Sequence, residues 1–452
     1  MSCAGGSHGT EATGGGGSGG SGGGGGSNDA GMVGTGGNVG FACSGTPSSS
    51  DVVVSLTSTH QRMDGFGAAD LWVPALSDAQ ADLFFDQTKG IGLSILRVGI
   101  DENGNNLSDW SNAQKAVARG AYVWAVPLSP PASCKDNGSI DNGGHLLTSN
   151  DCYGSWSTTL ANFADTFKQN TGAPLWGISA QNEPDFSATY PSCLFSDAEM
   201  VAFIKVLGPK LHALSPPVKL LAPEPDAWAD LWGGNNNYGN AILNDATAAA
   251  QVDVLAAHQY ADGAVTAPPA GLSKPIWETE ASGVMGSMQA GPSSDIANGL
   301  AVAQWVHDAL TTGGASAWHY WWLISLNNDN EGLLLMGGGT TKRIYTFGNF
   351  SKFIRPGYLR VDASGAIPSG VSLTAYANPS DGTLVVVALN PGSSATSLSV
   401  LLTGDPSCPT QVTPWVTSSS DDLAPKAVLP VSGARFNATL GPQTVTTFVG
   451  KP

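Results

Sequence analysis

Positive charge is scarce in this sequence. Its 452 residues carry 19 Lys and Arg against 36 Asp and Glu, a formal net charge of −17, and charged residues make up only 12%. No basic stripe exists to displace counterions from phosphates, which excludes nucleic acid as a partner. No apolar run reaches the ~18 residues that a membrane-spanning helix needs. Histidine is also sparse. The seven His residues form no HExxH and no i,i+4 pair beside an acid, so neither a metal centre nor another cofactor is expected. The six cysteines include no CxxC pair, which argues against a zinc knuckle.

Glycine and tryptophan, by contrast, are abundant, at 59 and 13 residues. With so little charge, they suggest a secreted protein that handles something neutral and ring-shaped. The stretch from Gly14 to Ser27 is only Gly and Ser. Such a segment buries too little apolar surface to offset its ordering entropy, so residues 1–50 read as a flexible tether. Within it, Gly19-Gly20-Ser21-Gly22-Gly23 satisfies the hydrolase elbow pattern, but not between a strand and a helix, and a serine hydrolase is dismissed. Cys3, at the head of the tether, resembles a bacterial lipoprotein anchor, which implies attachment to a membrane surface outside the cell. The remaining cysteines sit in loop-like segments, as disulfides outside a reducing cytosol do. Candidate pairs are Cys134 with Cys152, which bracket one loop, and Cys43 with Cys408, leaving Cys193 over.

From Met63 onward, short apolar runs alternate with amphipathic stretches. The strand-like runs are Met63–Ala68, Leu93–Ile100, Ala121–Ser129, Leu175–Glu183, Lys219–Glu224, Val252–Tyr260, Lys274–Ala281 and Ala315–Ile324. Helix-like stretches over Ser77–Thr88, Ser155–Asn170, Ser196–His212 and Ser294–Leu310 lie between them, with plausible N-caps. Eight such strands predict a (β/α)8 TIM barrel. From Val371 the pattern turns to strands and turns, which predicts a side β-sandwich domain. Val52–Ser58 has no barrel partner and is expected to join it, so that both chain termini build the side domain.

Barrel chemistry sits at the C-terminal ends of the strands. The fourth run ends in Gln181-Asn182-Glu183-Pro184-Asp185 and the seventh in Trp277-Glu278-Thr279-Glu280. Two acids at opposite strand ends supply what glycoside hydrolysis needs: one group to protonate the leaving oxygen and one to attack the anomeric carbon. Glu278 alternates with Glu280 by two and could share its face.

These stretches place the chain in resemblance to glycoside hydrolase family 30. Others that carry it are Met63-Asp64-Gly65-Phe66-Gly67-Ala68, Ile95-Leu96-Arg97-Val98, Ser129-Pro130-Pro131, His258-Gln259-Tyr260, Trp321-Trp322, and the block Phe350-Ser351-Lys352-Phe353-Ile354-Arg355-Pro356-Gly357-Tyr358. They occur in family order from about residue 52 to the end. The resemblance implies Glu183 as acid/base and Glu280 as nucleophile. It implies Arg97 beside Glu280, keeping it ionised. The chain divides accordingly into the tether (1–50), an N-terminal strand of the side domain (51–60), the catalytic barrel (61–345), and a closing helix with the β-sandwich (346–452).

Within the family the chain looks most like the bacterial endo-β-1,4-xylanases and glucuronoxylanases. Glucuronate-dependent members carry an arginine just after the strand-eight tryptophans, where this chain reads Ile324-Ser325-Leu326-Asn327. Nor does Ala281-Ser282-Gly283-Val284-Met285 offer the tyrosine and serine partners expected after the nucleophile. Independence of glucuronic acid is therefore expected. Leu128 stands where a tryptophan usually precedes Ser-Pro-Pro, which keeps an endo-β-1,6-glycanase acting on galactan or glucan as an alternative. A non-catalytic surface carbohydrate-binding protein is the other. A retaining double displacement needs the two carboxyls about 5–5.5 Å apart. Asn182 is placed to hydrogen-bond the sugar 2-hydroxyl, and Tyr260 to donate to Glu280. His258 shares a face with Tyr260. Trp72, Trp321 and Trp322 are the candidate stacking surfaces, although Trp321 and Trp322, adjacent on a strand, should point to opposite faces. A monomer acting on a xylan-like polysaccharide is expected.

Overall fold

The computed structural model describes residues 43–260, 263–283, 291–404 and 408–452. Cys3 and the Gly/Ser run lie outside them, as do Val284 and Met285. Eight parallel strands form a closed barrel: Gly65–Ala69, Ile95–Ile100, Tyr122–Pro127, Gly177–Ser179, Lys219–Pro223, Val254–His258, Ile276–Glu280 and Ala317–Ile324. Each pairs with its neighbour in sequence. The eighth closes the ring by pairing with the first, from Ala317 opposite Gly65 to Trp322 opposite Ala69. The strands read as near-continuous apolar runs because both faces are covered, by side chains inside and helices outside. Trp124, Trp277, Leu221, Ala256 and Ala317 belong to the inner cluster, which makes the barrel a packed core rather than a pore.

The helices start where their caps place them. Ser77 and Gln80 form a capping box ahead of Asp78–Phe85, and Ser196 and Glu199 do so ahead of Asp197–His212. The second expected helix begins earlier than its sequence signal, at Cys152. Cys152 is disulfide-bonded to Cys134. The closing helix runs from Lys342 to Ser351 with Thr341 as its N-cap, so a division at 345/346 cuts through it. This helix bolts the barrel to the side domain: Asn349 Nδ2 donates to Trp415 O (3.0 Å) and Thr447 Oγ1 (2.9 Å), and Ser351 Oγ donates to Ile91 O (2.6 Å).

The β-sandwich is built from both ends of the chain. Val52–Arg62 lies antiparallel to Leu359–Gly365 and parallel to Thr396–Gly404. Part of the expected tether is in fact pinned to this domain. Cys43–Ser44 pairs with Thr403–Gly404, and Cys43 is bonded to Cys408. The buried Asp51 carboxylate is held by Arg435 (2.7 Å). Cys193 is free and buried, and burial pushes its thiol up to about 12.

Candidate active site

The fourth barrel strand stops pairing at Ser179, yet the chain continues across the mouth in a fixed path. Asn182 N–H donates to Pro127 O (3.1 Å) and Glu183 N–H to Glu224 O (3.0 Å). Glu183 has φ 43 and Glu224 φ 70, the left-handed region that side chains other than glycine rarely adopt. Glu280 is the last residue of the seventh strand. The two strand ends bring one carboxylate oxygen each of Glu183 and Glu280, and a ring nitrogen of His258, within 4.8 Å of one another. All three residues are buried.

Arg97 and His258 set positive charge against three acids in this group. Arg97 is the third residue of its strand rather than the last, and its long side chain makes up the difference. Its guanidinium donates to Glu280 Oε2, to Asn182 Oδ1 (2.7 Å) and to Glu224 Oε1 (3.0 Å). Tyr260 donates its hydroxyl to Glu280 Oε1 (2.8 Å). Burial raises the Glu280 carboxyl above its ordinary range, against the pull of His258, Arg97 and Tyr260. Burial alone would disfavour a charged His258, but Glu280, Glu183 and Glu224 together push its imidazole well above the usual value. An imidazolium offers two donors and no lone pair. The triad has the spacing of a metal site, and Arg97 already sets a fixed cation against Glu280.

Asn182 is nearly enclosed. It accepts from Arg97 and donates to Glu183 Oε2 (3.2 Å), so it orients the acid. Trp72 is 40% exposed and meets Trp321 edge-on at 6.5 Å. Trp321 also lies 5.5 Å from the Arg97 guanidinium. Trp321 and Trp322 do not point to opposite faces. Tyr320 pairs with Ala68 and Trp322 with the very next residue, Ala69. Trp321 is the extra residue of a β-bulge, the alternation fails there, and the two indoles stack at 5.1 Å. Glu278 and Glu280 are also separated by a register shift. Ala257 pairs with Glu278 and His258 with Glu280. Glu278 Oε2 accepts the backbone N–H of His319 (2.7 Å), and burial drives its carboxyl far upward. It does not join the pair.

Glu224 belongs to the site and was not singled out from the sequence. Its signal was available: the fifth run ends in an acid, as the fourth and seventh do. It touches Arg97 and His258 together. Tyr190 carried no local signal, yet its hydroxyl donates to Glu183 Oε2 (3.3 Å). The rim is acidic. Burial and the nearby Glu183 raise Asp226 to about 6, and burial with Asp329 and Glu280 raises Glu331 to about 7. Ser325, the residue that follows the eighth strand, is buried and bonded to Asp329 (3.0 Å) and to Gly332 N–H (2.7 Å).

Residues 106–271 match the glycosyl hydrolase family 30 TIM-barrel domain, and residues 359–448 match the beta sandwich domain of that family. The glucuronoxylanase XynC of Bacillus subtilis strain 168 is 31% identical over 412 residues, 88% of this chain and 92% of that one. A family 30 subfamily 8 xylanase, Xyn30A from Clostridium acetobutylicum, superposes with a TM-score of 0.77 at 32% identity, covering 89% of this chain and 100% of its own. A family 30 endoxylanase from Clostridium papyrosolvens C71 does so at 0.73 and 32%, with the same coverage.

Proposed function

The chain belongs to glycoside hydrolase family 30, and from that premise we propose that it is a retaining endo-β-1,4-xylanase that does not require glucuronic acid. The observation that carries the reading is the approach of Glu183 and Glu280 to within 4.8 Å, which suits direct attack and falls short of the ~6.5–9.5 Å that an inverting pair needs. Glu280 attacks the anomeric carbon and forms a glycosyl-enzyme. Glu183 gives its proton to the departing oxygen, then takes one from the incoming water. Arg97 and Tyr260 hold Glu280 in line, and the imidazolium of His258 keeps both carboxylates in one place.

Two features support independence of glucuronic acid. The segment after the strand-eight tryptophans, Ile324-Ser325-Leu326-Asn327, holds no arginine, and its Ser325 is tied to Asp329. Among the described residues, the charged groups that act on Glu280 and the rim acids are, apart from Arg97 and His258, other carboxylates. A pendant carboxylate would meet repulsion there rather than the paired bonds of a free arginine. The two disulfides support action outside a reducing cytosol. Lipidation of Cys3 is part of the same reading, and intact-mass analysis of native protein tests it.

The deciding experiment is a polysaccharide panel read by chromatography, with unsubstituted linear xylan, glucuronoxylan, β-1,6-glucan and β-1,6-galactan. The expected result is cleavage of both xylans at comparable rates, abolished in Glu280→Gln. Cleavage of glucuronoxylan alone, or of a β-1,6-glycan alone, overturns the substrate assignment. Activity unchanged in both Glu183→Gln and Glu280→Gln overturns the enzymatic one.

A further inference from the structure

Two loops meet beside Glu183. The first spans 184–195 and carries Phe186 and Tyr190, which stay 45% and 44% exposed. The second spans 134–152 and is closed at its base by the Cys134–Cys152 disulfide, with the two Cα atoms 5.4 Å apart. The loops are laced together through the backbone. Asn142 N–H donates to Ala188 O (2.8 Å), Ser192 N–H to Ile140 O (3.0 Å) and Leu194 N–H to Gly144 O (2.8 Å). The buried Lys135 ammonium donates to Ile140 O (3.2 Å) and to Ser192 O, one carbonyl on each loop. The approach is close enough to need glycine. Gly143 has φ 63, and a Cβ there would lie 2.6 Å from Ser187 Oγ.

The position of this wall assigns its partner. The Tyr190 hydroxyl donates to Glu183 Oε2 (3.3 Å), so the wall flanks the acid. Trp321, with Trp72 against it, flanks Arg97, which holds the nucleophile. In double displacement the sugar beside the nucleophile stays and the sugar beside the acid leaves. We propose that Phe186 and Tyr190 form the platform for the departing end of the polysaccharide, and that the loop stapled by Cys134–Cys152 holds that platform in place. The inference rests on the reading of Glu183 as acid/base. Its ligand is a neutral β-linked pyranose chain, whose apolar CH faces suit two open aromatic rings. Bracing the rings beforehand lowers the entropy that binding must remove.

The test compares xylohexaose with 4-nitrophenyl β-xylobioside, whose leaving group is not a sugar. Cys134→Ser/Cys152→Ser raises the KM for xylohexaose about five- to tenfold and leaves kcat/KM on the aryl glycoside within about twofold. Phe186→Ala raises the same KM and moves the point of cleavage along the hexaose. Calorimetry reports whether each variant is folded. Gly143→Ala, which keeps the disulfide but pushes the loops apart, carries the first comparison if the cysteine variant is not folded. Equal losses on both substrates, or an unchanged xylohexaose KM in Phe186→Ala, overturn the proposal. Wild-type enzyme that cleaves neither probe refutes the xylan reading alone, and β-1,6-linked gluco-oligosaccharides with the matching aryl glycoside then enter the same comparison.

Discussion

The Nδ1 of His258 lies 3.2 Å from Oε1 of Glu183, and its Nε2 lies 3.4 Å from Oε1 of Glu224 and 3.8 Å from Oε2 of Glu280. One imidazolium thus spans three carboxylates that would otherwise repel each other inside the barrel mouth. Replacing it with a neutral ring of similar size removes that counter-charge while keeping the packing. His258→Phe is expected to lower kcat by about 10²–10³-fold. Steady-state kinetics on the preferred xylan checks this. A variant with kcat within threefold of wild type would show that Arg97 alone neutralises the group.

The acid limb of the pH profile should belong to Glu280. Burial raises its carboxyl, and only the ionised form attacks, so kcat/KM is expected to fall on acidification while still above the ordinary glutamate range. The Tyr260 hydroxyl donates to the ionised form and pulls the other way. Tyr260→Phe should therefore move the limb to higher pH, by about half a unit to one unit. A limb that stays in place, or moves to lower pH, contradicts this assignment.

The Cys43–Cys408 bond joins positions 365 residues apart and ties the start of the described chain to the side domain. Cross-links of such span restrict the unfolded chain strongly. Cys43→Ser/Cys408→Ser is expected to lose about 2–5 kcal/mol of stability, with kcat at 25 °C unchanged, because neither residue approaches the mouth. Chemical denaturation paired with an activity assay measures both. Loss of kcat without loss of stability would be incompatible with a purely structural bond.

Asp70 is fully buried, and neither of its carboxylate oxygens has a hydrogen-bond partner among the described residues. Burial pushes the group up to about 7. The folded protein therefore holds a proton that the unfolded chain releases near pH 4, and stability should fall as pH rises between those values. Asp70→Asn lacks this term. Its Tm relative to wild type is expected to be higher at pH 8 than at pH 5 by roughly 3 °C or more. Parallel Tm curves in calorimetry would place the proton elsewhere.

Local pattern determined much of this protein. Eight apolar runs alternating with amphipathic stretches dictate a ring of parallel strands, since each run must be covered on both faces. Acids at the ends of the fourth and seventh runs made Glu183 and Glu280 candidates, and the family resemblance implied which is acid and which nucleophile. The strand after Asp51 and the Cys43–Cys408 and Cys134–Cys152 pairs were also legible. Tertiary structure decided the rest. Trp321 and Trp322 stack on one side, and Glu278 parts from Glu280, because bulges break the two-residue alternation on which any reading of a strand depends. Glu224 and His258 acquire their meaning only through Arg97 and Glu183, which lie on other strands. The Tyr190 wall is set by a loop some fifty residues away in sequence (190 − 142 = 48). Contacts between loops leave no periodic trace in a sequence, because nothing in either segment repeats to announce the other.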